Sequence, residues 1–121
     1  MLLIALVITA CGFLFMGVAA LAMPKRVTGQ FGISTLDADG RNEVRAVYGG
    51  FGIAISAALT TALWVPSWRG PSAVAVAIAL GGMASGRIFS AMLDRHIGRL
   101  PLLYGTIEAV TSLVLWSSAT G

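Results

Sequence analysis

The chain has 121 residues, 57% of them hydrophobic and only 11% charged, which is far too little polar surface to coat a water-soluble domain. Its formal charge of +3 does not point to nucleic acid, because the basic residues cluster in connections where positive charge sets membrane orientation. An integral membrane protein with no attached soluble machinery is expected.

A span takes about 20 apolar residues, and four such stretches follow one another: residues 2–23, 46–65, 72–93 and 102–119. In the first, Ala20-Leu21-Ala22 has the small-residue pattern of a signal-peptidase site and Ile8-Thr9-Ala10-Cys11 that of a lipoprotein box. Neither is preceded by a basic segment, so a retained span is expected. Cys11, the single cysteine, has no intrachain disulfide partner and reads as a small buried hydrophobe.

The first connection, residues 24–41, carries Phe31, Ile33 and Leu36 among polar residues and is expected to lie along the interface. Asp39-Gly40 reads as a turn, and Asn42 as the cap of the second helix with Glu43 in its first turn, where a carboxylate suits the helix dipole. Pro66 and Pro71 bracket the second connection, and Pro101 marks the start of the fourth helix.

Charge is one-sided. Lys25, Arg26, Arg41 and Arg45 belong to the first connection and its edges, Arg95 and Arg99 to the third, and Arg69 is the only charge between Ala46 and Gly86. The positive-inside rule makes that side cytoplasmic. Trp64, Trp68 and Trp116 fall at the opposite face, as an interfacial aromatic belt would. An antiparallel up-down four-helix transmembrane bundle is predicted, with both termini outside, in a bacterial inner membrane.

Lipid gives helices no hydrophobic drive to associate, so small residues and interhelical hydrogen bonds must bring them together. Ala46, Gly50, Ala54 and Ala58 form a ridge at four-residue spacing on the second helix, with Arg45, Tyr48, Gly49, Gly52 and Ser56 on a neighbouring face. Gly82 and Gly86 form a G-x-x-x-G pair on the third. These ridges are expected to pack within the bundle. Gly49-Gly50-Phe51-Gly52 is not a phosphate loop, for it lacks the preceding strand and the Lys-Ser/Thr that holds phosphate and metal.

Arg87 and Glu108 interrupt apolar stretches on either side of a short charged turn. Ionisable groups at membrane depth survive when they pair, line a wet cavity or do chemistry. Arg87 precedes Asp94 by as much as Glu108 follows Pro101, so both lie about 10 Å in from the same boundary. Arg87, Ser90 and Asp94 share one helical face, as do Tyr104, Glu108 and Thr111 or Ser112. A polar cluster of Glu43, Arg45, Tyr48, Arg87, Ser90, Asp94 and Glu108 is predicted, with Arg87–Glu108 its deepest link. It serves either as a latch between helices or as a site for an anionic ligand, a lipid headgroup or a proton.

Catalytic chemistry has little to work with. His96 stands alone in the third connection, no Cys/His set suits zinc, haem or an iron–sulfur cluster, and no Ser-His-Asp arrangement is evident. Asp94 and Glu108, flanked by arginines, suit ion pairs better than general acids. No catalytic residue, cofactor or metal is expected.

The run Asn42-Glu43-Val44-Arg45-Ala46-Val47-Tyr48-Gly49-Gly50, with Phe31-Gly32-Ile33 before it and Gly86-Arg87, Ser90, Asp94 and Glu108 after it, resembles a bacterial family of small four-span membrane proteins catalogued as a domain of unknown function. The resemblance covers nearly the whole chain. It implies a four-helix membrane fold and no activity.

Three functions stand as expectations. The first is a structural or accessory subunit that packs against other membrane proteins or itself, since most of the outer surface is plain Leu, Ile, Val and Ala. The second is a homo-oligomeric transporter or ion pathway through Arg87, Glu108 and Asp94, which requires a continuous polar path. The third is a lipid- or quinone-binding protein in which Arg45 and Arg87 hold the head. Its sign is a lipid-sized groove opening sideways at the depth of Arg87.

Overall fold

The first apolar run forms α1 (Leu2–Ala22), and Pro24, at the favoured first helical position, restarts the chain as the short α2 (Pro24–Gly29). The structure, a computed structural model, describes residues 1–121. After an extended stretch, α3 (Ala38–Val44), a π-helical turn (Arg45–Gly50) and α4 (Phe51–Trp64) run on as one helix. Val65 alone separates it from α5 (Pro66–Asp94), and a tight connection leads to α6 (Arg99–Thr120). The fold is all-helical, with four helices long and apolar enough to cross a membrane.

Two helix starts differ from the sequence expectation. Asp37, not Asn42, caps the second spanning helix: its Oδ1 accepts from the Gly40 amide at 2.7 Å. Asp39 and Gly40 therefore lie in the first turn, with Asp39 supplying the acid at the dipole, and Asn42 and Glu43 sit further along. α5 likewise begins at Pro66, with Pro71 inside it. Pro66 forfeits no helical bond at the first position. Gly70 before Pro71 has no Cβ for the ring to strike, which removes part of the usual bar to helix at that step.

Arg69, placed by this early start, donates from Nε to the Ala62 carbonyl at 3.2 Å and from Nη2 to the Leu63 carbonyl at 2.8 Å. It thus satisfies the unpaired carbonyls at the end of α4, where a cation also suits the dipole. Arg69→Ala is expected to cost about 1–2 kcal/mol, the usual worth of charge-assisted bonds to partly exposed carbonyls. Thermal unfolding in a lipid nanodisc checks this.

The helices pack as two hairpins, α1 against α4 and α5 against α6. They join through one apolar cluster in which Ala5, Leu6 and Ala10 meet Leu59, Ala62, Ala73, Val76, Ala77, Leu80 and Leu115. All these residues lie in the half nearer the three tryptophans, and Leu6, Leu59 and Leu115 are fully buried. In the basic half no such cluster forms, and the hairpins part.

The ridge joining α1 to α4 is not the predicted one. Ala46, Gly50 and Ala54 are exposed, and Gly82 and Gly86 face open space on α5. Gly17, Gly49 and Gly52 make the close approach instead: a Cβ on Gly17 would lie 2.8 Å from Ile53 Cγ1 and 2.9 Å from the Gly49 carbonyl oxygen. The π turn accounts for the shift. Phe51 donates to the Ala46 carbonyl, a five-residue step, so Val44 and Gly49, five apart, are buried on one side. Cys11, expected inside, is exposed on α1.

Candidate functional site

Where the hairpins part they enclose a cavity of about 470 Å³, within the range of small-molecule sites. One wall is a stripe of α1 and its C-cap, from Ile8 and Gly12 through Phe15, Met16 and Ala19 to Met23, at three- and four-residue steps. The facing wall comprises Leu80, Met83 and Arg87 of α5 with Tyr104, Glu108 and Thr111 of α6. Arg26, Gln30 and Phe31 roof the basic end, and Tyr48 of the π turn reaches in from the side. Ile8 and Phe15 on its rim are exposed on a spanning helix, so the cavity opens laterally, towards the bilayer.

Arg87 and Glu108 sit on its polar side. Nε donates to Oε2 at 2.8 Å and Nη2 to Oε1 at 2.7 Å, a fork of two parallel bonds. Glu108 is the one buried charged residue, its side chain 8% exposed against 26% for Arg87. Gly105 lets the fork form: a Cβ there would stand 3.2 Å from Arg87 Cδ, so its absence allows the aliphatic stem to lie on α6. The guanidinium lies 5.8 Å from the Tyr104 ring centroid, a cation–π distance. Lower on the same helices, Ser112 Oγ donates to the Ala77 carbonyl at 2.7 Å and ties α6 to α5.

The roof is held by Tyr104. Its hydroxyl donates to Gln30 Oε1 at 3.2 Å, and its ring packs on Phe31 with centroids 5.6 Å apart. Gly32 comes next with φ +84°, a backbone conformation that suits glycine.

The other members of the predicted cluster are placed elsewhere. Arg45 donates from Nε to the Leu21 carbonyl at 3.1 Å, near the end of α1, and does not line the cavity; Arg26 lines its roof instead. Glu43 is exposed and makes no ion pair. Ser90 and Asp94, also exposed, line a separate open depression beside His96 at the α5–α6 turn, and Arg87 borders both spaces. Of the seven, the structure gathers Tyr48, Arg87 and Glu108 at the cavity. Sequence reasoning left out Arg26, Gln30, Phe31 and the whole α1 wall. That wall carries no charge to mark it; its one signal is Gly12, open on the stripe with nothing within 4 Å of a built Cβ.

The Asn42–Gly50 run covers the end of α3 and the π turn, where it sets Gly49 against Leu21 and Tyr48 at the cavity. π turns inside α-helices occur frequently at functional sites. No curated protein and no solved structure matches the chain. Residues 1–118 match the family described as a domain of unknown function (DUF4345). With that match running almost end to end over four helices able to span a membrane, the chain belongs to the DUF4345 family.

Proposed function

We propose that this protein binds a membrane amphiphile between its two hairpins, with the head at Arg87–Glu108 and Tyr48 and the tail along the α1 stripe. The observation that carries this reading is the laterally open cavity at the depth of Arg87. An apolar space with a few convergent polar groups is the usual form of a ligand site. The basic end faces the cytoplasm of a bacterial inner membrane in this proposal, which sets the head near the headgroup layer. A conducting role is disfavoured, because the cluster around Leu6, Leu59 and Leu115 closes the other half of the bundle.

A second reading, that of an accessory subunit, draws on the outward small-residue faces. Gly82 and Gly86 meet nothing in this chain, and such positions let another helix approach closely. Native mass spectrometry of protein extracted from its own membrane separates the two. An amphiphile bound one to one in wild type and absent from Gly12→Leu is the expected result. That substitution adds an apolar side chain to the cavity wall, its Cβ meets no atom within 4 Å, and leucine favours the helix. A stoichiometric foreign subunit with no small molecule would replace the binding reading with the accessory one.

A further inference from the structure

The hydrogen bonding of the cavity's polar end narrows the class of ligand. Arginine has five N–H donors. Glu108 takes two of them, and the rest of the guanidinium makes no hydrogen bond within the protein. Tyr48, on the same cavity, makes none with its hydroxyl. The Arg87–Glu108 pair carries no net charge, so this end offers spare donors without a spare cation. An anionic head placed there would lie beside the Glu108 carboxylate, and drawing Arg87 away would strand a buried charge. A carbonyl oxygen accepts the same donors and adds no charge.

We infer that the ligand, given that the cavity binds an amphiphile as proposed, is a neutral molecule whose head presents a carbonyl oxygen to Arg87 and Tyr48. Two membrane sources share this chemistry: a quinone ring and the ester of a neutral glycerolipid.

The test uses the full chain in nanodiscs of ether-linked phosphatidylcholine, which offer no competing ester carbonyl. Binding of a short-chain quinone, a monoacylglycerol and an alkyl sulfonate of matched chain length is tracked by thermal stabilisation. At least one neutral probe is expected to bind about tenfold or more tightly than the sulfonate, whose charge would be held beside the Glu108 carboxylate. Whichever neutral probe binds more tightly identifies the source. Tyr48→Phe should weaken that binding several-fold without changing the melting temperature of the unliganded protein, and Gly12→Leu should abolish it. Sulfonate binding equal to or tighter than that of both neutral probes, lost in Gly12→Leu, overturns the neutral-carbonyl inference and leaves the cavity as an amphiphile site. Absence of saturable binding by all three probes overturns both.

Discussion

Arg87→Ala is expected to destabilise the folded protein by about 3–5 kcal/mol, the cost of breaking a buried ion pair from one side. The remaining partner, Glu108, is the more deeply buried of the two and has no other hydrogen-bond donor. Glu108→Ala should cost less, because Arg87 is a quarter exposed and its long stem lets the guanidinium move towards the headgroups. The exchange Arg87→Glu with Glu108→Arg should restore part of the loss. Replacement of both residues by methionine should bring stability to within about 1 kcal/mol of wild type, since well-packed apolar residues commonly replace a buried pair without loss. The double variant should nevertheless fail to bind an amphiphile. Unfolding in nanodiscs with a parallel binding measurement reads both effects, and unchanged stability in both alanine variants would sink the latch.

Gly17→Leu is expected to have a comparable effect for a different reason. A Cβ at Gly17 would lie 2.9 Å from backbone atoms of Gly49 and Ile53, and one at Gly52 would lie 3.0 Å from the Phe13 carbonyl oxygen. Backbone cannot rotate aside as a side-chain end can, so α1 and α4 must separate. Overpacking of this kind costs about 1–3 kcal/mol and more when the intruding group is large. Gly50→Ala and Gly82→Ala face no such neighbour across the bundle and should be neutral or slightly stabilising, as alanine favours the helix. Equal loss in all three variants would contradict this register of α1 on α4.

These contrasts separate the features that could be read from the chain from those that could not. Helix number comes from apolar length, and the opposition of Arg87 to Glu108 comes from equal depth on consecutive helices, because both depend on counting residues along regular helix. The ridge could not be read that way. One π turn between Val44 and Phe51 rotates α3 relative to α4, and a four-residue spacing through Ala46, Gly50 and Ala54 assumes that no such turn exists. The helix starts after Asp37 and at Pro66 were obscured because proline and aspartate, strong turn signals in general, are also favoured in a first turn. The cavity had no local signature: its α1 wall is apolar like any lipid-facing stripe, and only the parting of the hairpins makes it an interior.

Site-resolved labelling tests amphiphile binding most directly. A monoacylglycerol and a quinone, each with a photoactivatable chain, are introduced into membranes containing the protein and cross-linked by light, and the adducts are mapped by peptide mass spectrometry. Adducts that saturate and are displaced by the unmodified probe are expected for at least one of the two on Phe13, Met16 and Met83, which line the cavity, and Gly12→Leu should remove them. Adducts spread over outward residues such as Ile78, Phe89 and Leu113, with none displaceable at the cavity, would contradict the account.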